Sequence, residues 1–338
     1  MKRRIVFSLI IAAAACGCGK NGGLDIPSGP DDVSRVRVGV VLQETTRTKV
    51  MGEGVNLDHE DDVNSVQVFV YDSAGNYDCG GYDGDVEGSD FSMTLEVSVG
   101  EGRTFCALVN ADELDSGFGT LSDLEGTVSF LSDNSTVSFV MYGSTGDCDV
   151  DSDGIVVEVP VGRLAAKVIV QGISVDFAGG VKRSLHINSI YLTNVNPAVT
   201  HDGTDIAPAS QWAHQRGWSS EGSLEDFLTD DVDETIADGG SYSVQHNFYC
   251  YPNPTEVDSR TITGTYCERY TRLVIDTDYG YYPIDIPGIE SNKCYLVTSL
   301  TIAGEGSRHP EIRPDRKTLT FALNVLDWED GASYSEHI

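Results

Sequence analysis

The sequence predicts an all-β protein with two antiparallel β-sandwich domains in tandem. Short segments carry apolar residues at every second position, which is the period of a half-buried strand. Turn-forming residues such as Gly75 and Asn76 separate these segments at short intervals, as they do in a sandwich. The 338-residue chain is long enough for two cores of the usual domain size.

The first half contains seven strand-like segments. In the first of them, Val36, Val38, Val40 and Leu42 share one face. The seven segments are 35–42, 65–71, 91–99, 104–109, 127–131, 138–142 and 155–159. Together they predict an N-terminal sandwich over residues 34–160.

The second half contains six such segments and one long insertion. The segments are 167–173, 185–192, 242–251, 272–275, 294–302 and 318–328. They predict a C-terminal sandwich over residues 161–338. Residues 207–235 are interpreted as a long loop with a short helix at 224–228. Its Trp212 and Trp218 favour an aromatic plug over the end of a sandwich, with a binding platform as the alternative.

The N-terminus has the pattern of an export signal. Three basic residues precede an apolar segment that ends in small side chains, which predicts a signal peptide over residues 1–15. The segment is too short to span a bilayer. The run 13–16 resembles a bacterial lipobox and makes Cys16 the predicted acylated residue, with Cys18 as second candidate. An ordinary signal peptide is the alternative, and the glycine- and proline-rich residues 16–33 are predicted to form a flexible tether.

The composition is strongly acidic, with a formal net charge of −31. Such a charge repels nucleic acid and anionic surfaces, so no nucleic-acid partner is expected. Two acidic runs, 58–62 and 230–234, are interpreted as solvated loops.

No metal, cofactor or catalytic site is predicted. Residues 149–154 copy the start of a calcium loop, but Pro160 stands where a bidentate glutamate is needed. There is no GxSxG motif and no paired-histidine spacing, so neither a hydrolase nor zinc is expected. Among the cysteines, Cys250 and Cys267 are the best candidate disulfide, since they lie in two strand-like segments separated by a polar loop.

Several weak motifs occur in a characteristic order. They are the lipobox, Val68-Phe69-Val70-Tyr71-Asp72-Ser73-Ala74-Gly75, Gly162-Arg163-Leu164-Ala165-Ala166-Lys167, Ile190-Tyr191-Leu192-Thr193-Asn194-Val195-Asn196, Tyr251-Pro252-Asn253-Pro254 and Leu323-Asn324-Val325-Leu326-Asp327-Trp328. In this order they resemble the fimbrillins of Bacteroidetes. The resemblance implies two transthyretin-like sandwiches, a structural role in type V fimbriae at the cell surface and no enzymatic activity.

The resemblance also implies a mechanism of assembly. Such subunits are exported as lipoproteins to the outer membrane and cut by an Arg-specific protease, which removes the first strand. Arg47 is the predicted cleavage site and Lys49 the lesser candidate. A donor strand from another subunit then fills the gap, and Leu319, Phe321, Leu323 and Val325 have the alternation that a donor needs.

Three alternatives remain open at this point. The segment 318–328 can be the last strand of its own domain, leaving the tail 327–338, with Tyr334 and Ile338 as apolar anchors, as a shorter donor. The chain can also be a fimbrial tip or anchor subunit instead of a stalk subunit. In a different class, it can be a surface lipoprotein that binds a glycan or a host protein through its loops.

Overall fold

Strands account for most of the secondary structure of this chain. The computed structural model describes residues 33–43, 57, 59–86, 91–115, 119–177, 179, 182–203, 212–214, 224–255, 258–259, 268–315 and 317–328. Within these residues it contains eighteen strands and two short α-helices. The strands form one large N-terminal sheet, two four-stranded C-terminal sheets and a two-stranded ribbon.

The N-terminal sheet uses eight of the first nine strands. These nine are β1 (Val33–Leu42), β2 (Val66–Tyr71), β3 (Tyr77–Asp83), β4 (Ser92–Ser98), β5 (Gly100–Val109), β6 (Val128–Phe130), β7 (Met141–Ser144), β8 (Cys148–Val150) and β9 (Ile155–Arg163). The order is β3-β2-β5-β7-β9-β1-β4, with β8 beside β5. The two ends of this path meet, because Gly81 lies against Met93 and Leu95. The sheet therefore curls around a shared apolar interior.

The second half forms two sheets. Its strands are β10 (Ala166–Val175), β11 (Ser184–Thr193), β12 (Ala198–Thr200), β13 (Thr229–Ala237), β14 (Ser241–Cys250), β15 (Thr271–Thr277), β16 (Gly280–Ile286), β17 (Lys293–Ile302) and β18 (Leu319–Asp327). One sheet has the order β14-β10-β17-β18 and the other β13-β11-β15-β16, while β12 pairs with β6 of the first half. The all-β fold is thus confirmed.

Two pairings depart from a purely antiparallel arrangement. Among the strands that the structure describes, β1 runs parallel to β9 and β10 runs parallel to β17, and all other strand pairs are antiparallel. The parallel pair β1–β9 joins the first strand of the N-terminal sheet to the last. Parallel strands such as these are joined by a long crossover connection, because a tight hairpin can join only antiparallel strands.

The helices are short. α1 (Leu121–Glu125) is capped by Thr120, whose side chain accepts a hydrogen bond from the N–H of Asp123. α2 (Glu225–Leu228) confirms the helix predicted at 224–228. Trp212 is buried, as a plug would be, and Trp218 lies outside the described residues.

Each of the thirteen predicted segments overlaps a strand of the structure, but five of the described strands were not predicted. The missed strands are β3, β8, β12, β13 and β16. β13 contains the acidic run 230–234, so the prediction of a loop there is wrong. β13 is an edge strand whose carboxylates are mostly exposed. Charged edge strands are common because they discourage pairing with another chain.

The chain passes from the first sheet to the second between Arg163 and Ala166. This change lies close to the predicted domain boundary at residue 160. The buried apolar side chains of both halves form one continuous cluster. Independent folding of two domains therefore stays a prediction.

Candidate assembly site

β1 lies inside its sheet, between β4 and β9. Residues 33–39 pair with β4 and residues 36–42 pair with β9. Val36, Val38 and Val40 face the interior and are at most 5% exposed. Burying each valine contributes about 1.5–3 kcal/mol, so this strand is strongly bound to its sheet.

Loss of β1 would open a gap one strand wide. Its two neighbours, β4 and β9, would each lose a row of main-chain hydrogen bonds, and the interior would lose three valine side chains. An open edge with an apolar trough binds another strand readily. The arrangement can therefore act as an acceptor for a strand with the same alternation.

The acidic segment 149–154 contacts the beginning of β1. The main-chain N–H of Arg35 donates to Asp153 Oδ1 at 2.8 Å, and the N–H of Gly154 donates to the carbonyl of Arg35 at 2.9 Å. Asp149 accepts a hydrogen bond from the N–H of Gly102. Within the described residues, no group of three or more potential metal ligands lies together. In the structure, this calcium-like segment positions the backbone of β1.

Among the strands that the structure describes, β18 lies at the edge of its sheet and pairs with β17 alone. All four predicted donor residues, Leu319, Phe321, Leu323 and Val325, lie in this strand. Phe321 is 38% exposed and Val325 is 56% exposed, although both are apolar. In this chain the segment is thus the last strand of its own sheet, with an apolar stripe left partly in solvent.

The end of β18 is fixed by the residues around Trp328. The N–H of Trp328 donates to the carbonyl of Asn292 at 3.1 Å, and the Asp327 carboxylate lies 2.6 Å from the Lys293 ammonium. Trp328 is only 1% exposed. The strand is therefore loosely covered along its length and firmly anchored at its last residue.

A buried carboxylate lies at this anchor. Glu60 Oε1 is 2.6 Å from the Lys167 ammonium and accepts a hydrogen bond from the Tyr249 hydroxyl at 2.5 Å. Its Oε2 accepts a hydrogen bond from the indole N–H of Trp328 at 3.3 Å. Glu60 is 2% exposed, so the prediction that the whole run 58–62 is a solvated loop is wrong at this residue. Its burial is tolerated because a cation and two donors surround it.

Arg163 completes this buried cluster. Its Nε donates to the carbonyl of Glu60 at 3.1 Å, and its guanidinium lies 4.7 Å from the centre of the Trp328 ring. Burial lowers the pKa of Lys167, and the Glu60 carboxylate opposes this shift. Burial and the same carboxylate raise the pKa of Tyr249. Burial raises the pKa of the neighbouring Cys294 thiol to about 12.

The sequence contains one indication of this buried cluster that the analysis of strand periodicity does not take into account. Arg163 and Lys167 interrupt an apolar stretch that continues into buried β10. Because lysine is almost never fully buried without a partner, a lysine in this apolar stretch predicts a buried carboxylate next to it. Nothing in the sequence says which of the 53 acidic residues supplies it.

Several predicted residues cannot be placed. Cys16, Arg47 and Cys267 lie outside the described residues, and so do the alternative candidates Cys18, Lys49, Tyr334 and Ile338. Cys250 is buried with a free thiol whose pKa burial raises to about 12, and its pairing with Cys267 stays a prediction. In the part of the chain that the structure covers, no helix is long and apolar enough to cross a membrane.

Comparison with known proteins places this fold among fimbrial proteins. Residues 34–145 match the family model "Major fimbrial subunit protein (FimA)". No curated protein matches the chain. Among solved structures, a fimbrilin (FimA) from Porphyromonas gingivalis W83 is similar with a TM-score of 0.64 at 14% identity, over 88% of this chain and 98% of that one.

Two further structures show the range of similar proteins. A protein from Bacteroides eggerthii DSM 20697, named for cell adhesion, has a TM-score of 0.64 at 16% identity and covers 90% of this chain and 98% of its own. The tip fimbrial protein Mfa3 from Porphyromonas gingivalis, with a C-terminal truncation, has a TM-score of 0.51 at 15% identity, over 88% and 100% of the two chains. Residues 34–145 thus match the model of a fimbrial subunit family, and the fold of the chain is similar to the folds of a fimbrilin, a tip fimbrial protein and a protein named for cell adhesion.

Proposed function

We propose that this chain is a stalk subunit that polymerises by donor-strand exchange. It is exported as a lipoprotein acylated at Cys16, anchored by its lipid in the outer membrane and cut near Arg47 by an Arg-specific protease. The cut releases β1, and the apolar stripe of β18 from a neighbouring subunit enters the gap. Its partners are thus other fimbrial subunits, and its place is the cell-surface fimbrium.

The contrast between the first and last strands carries this proposal. β1 fills a slot between two strands with three buried valines, whereas β18 pairs with one described strand and has two exposed apolar side chains. The lengths agree, since β1 has 10 residues and β18 has 9. A donor in the slot gains main-chain hydrogen bonds on both sides and covers its apolar stripe.

Head-to-tail donation explains a filament. The donor and acceptor surfaces are different parts of the molecule, so each added subunit leaves a new acceptor or donor at the end. Such a heterologous contact does not close on itself and generates an open polymer.

The test is controlled cleavage of the purified protein. We expect a trypsin-like Arg-specific protease to produce one new N-terminus at Thr48, identified by mass spectrometry, followed by ladders in size-exclusion chromatography. The matched controls are Arg47→Ala, which should stay monomeric, and Lys49→Ala, which should polymerise like the wild type. Polymers from uncut Arg47→Ala protein would contradict the proposal.

A tip subunit is the second candidate function. The similarity to the tip fimbrial protein Mfa3 favours it, since a tip accepts a strand but need not donate one. A tip subunit would be cut and would bind a donor peptide spanning 318–328, yet would not form homopolymers. A lipoprotein that binds a glycan through its loops would resist cleavage and keep both Cys16 and β1.

A further inference from the structure

Two segments that are 268 positions apart in the sequence meet at one buried carboxylate. Glu60 belongs to the turn that precedes β2, shortly after the segment that contains Arg47. Trp328 follows directly after β18. The predicted cleavage segment and the predicted donor strand are therefore both continuous in sequence with the same buried cluster.

The contacts along β18 itself are weak by comparison. Among the described residues 317–328, Trp328 is the only one that is buried, and every other side chain is half-buried or exposed. Its indole donates to Glu60, its ring packs under Arg163 and stacks on Tyr249 at 5.7 Å between ring centres. Leu319, Leu323 and Leu326 are half-buried against the core, so β18 is attached by main-chain pairing with β17, by these partial contacts and by the fully buried anchor at Trp328.

We propose that Glu60 and Trp328 form an internal latch that keeps β18 on its own sheet in the uncut chain. Lys167 and Tyr249 fix the orientation of the Glu60 carboxylate, and the carboxylate in turn fixes the indole of Trp328. Hydrogen bonds to a charged acceptor are stronger than those to neutral groups, and burial protects them from water. When the Glu60 side chain is displaced, Trp328 loses its anchor and β18 can separate from β17.

The latch gives the proposed cleavage a second effect. In the uncut chain, the backbone that carries Glu60 is connected to β1, which is bound inside its sheet. A cut near Arg47 breaks that chain connection. On the proposed function, displacement of Glu60 after the cut would release the donor strand from the same subunit whose acceptor has opened.

The latch is tested in uncut protein by hydrogen exchange followed with mass spectrometry. Trp328→Phe keeps an aromatic ring but removes the indole N–H. We expect exchange in β18 to become roughly 10-fold faster or more, since a hydrogen bond to a charged group is lost. Exchange in β15 and β16, which belong to the other C-terminal sheet, should not change.

The matched control is Tyr251→Phe. The Tyr251 hydroxyl is buried and bonded to Ser129 and Asn134, away from β18, so this variant also loses a buried hydrogen bond. It should leave exchange in β18 at the wild-type rate. Should Trp328→Phe fold poorly, the double variant Glu60→Gln/Lys167→Met gives a second test, because it weakens the acceptor and removes the ammonium paired with it in the same step.

Two outcomes would overturn the latch. One is an unchanged rate in β18 for Trp328→Phe, and the other is an equal acceleration in β15 and β16, which would mean general destabilisation. A second assay mixes uncut Trp328→Phe with cleaved wild-type protein and detects complexes by chromatography. If Trp328→Phe exchanges faster in β18 but forms no complexes, the latch is supported and the donor role is contradicted. If cleaved wild-type protein polymerises but exchange in Trp328→Phe is unchanged, the donor role is supported and the latch is contradicted.

Discussion

β1 and β18 are strands of similar length in opposite environments. β1 has a strand on each side and alternates between buried valines and exposed arginines, whereas β18 has one neighbour and an apolar stripe partly in solvent. The first strand is therefore bound by burial along its whole length. The last strand is bound at one edge, by half-buried leucines and at Trp328, so its release disturbs the core less than loss of β1 would.

The largest expected effect comes from placing a charge on each strand. Val38→Asp buries a carboxylate at a fully buried position, and we expect it to lower the free energy of unfolding by about 5 kcal/mol or more. Val325→Asp is made at a position that is 56% exposed and should change it by less than about 0.5 kcal/mol. Urea denaturation of the uncut proteins measures both values.

Val325→Asp, which should hardly affect the free energy of unfolding, should have a large effect on polymerisation. After cleavage, Val325→Asp should block polymerisation if the β18 stripe enters the apolar gap, even though its monomer is intact. The neutral control is Val325→Thr, which keeps the branched shape. Filaments formed by Val325→Asp at the wild-type rate would mean that this stripe is not the donor surface.

The buried carboxylate near β18 predicts the next largest effect. Glu60→Gln replaces the carboxylate that lies 2.6 Å from the buried Lys167 ammonium by a neutral amide, which should cost about 3–5 kcal/mol of unfolding free energy. Asp62→Asn is the matched control, because the Asp62 side chain in the same acidic run is 44% exposed and should contribute little. Equal effects of the two variants would show that Glu60 is no more important than its exposed neighbour.

The sequence predicts β1, but it predicts neither the strand β13 nor the burial of Glu60. Alternating valines identify β1 because a half-buried strand must place apolar side chains on one face. The acidic strand β13 was missed because a run of charged residues is typical of a loop. It forms a strand because its backbone pairs with β11, a long-range contact that its own composition does not indicate. Glu60 was missed for a related reason: its burial depends on Lys167, more than one hundred positions away, and local patterns carry no information on such a contact.

Acid should weaken the β1 side of the molecule. His201 stacks on Tyr142 of β7, in the same sheet as β1, and burial lowers its pKa to about 4. Below pH 6.5 the unfolded chain binds a proton there that the folded chain does not, so unfolding becomes easier as the pH falls. The loss should reach about 2 kcal/mol at pH 5 and about 3 kcal/mol at pH 4, relative to pH 8.

Denaturation at pH 8 and pH 5 checks this expectation against a variant without the titrating group. His201→Phe keeps a flat ring for the contact with Tyr142 and should remove about 2 kcal/mol of the pH dependence. The many carboxylates cancel in this difference because both proteins carry them. An identical pH dependence in the two proteins would mean that His201 takes up its proton in the folded state as easily as in the unfolded state.

The smallest effect should come from the half-exposed ion pair at the end of β18. Lys293 and Asp327 are 2.6 Å apart, but about a third of each side chain is exposed. Asp327→Asn should therefore cost about 0.2–1 kcal/mol and raise hydrogen exchange in β18 by less than about fivefold. Salt provides an independent measurement, because about 1 M NaCl screens an exposed pair and leaves the buried Glu60–Lys167 pair largely unaffected. If salt accelerated hydrogen exchange in β18 as strongly as Trp328→Phe does, the exposed pair would be the main anchor of β18, and the contrast between a buried and an exposed attachment would fail. A weak effect of salt on this exchange would place the anchor at Trp328.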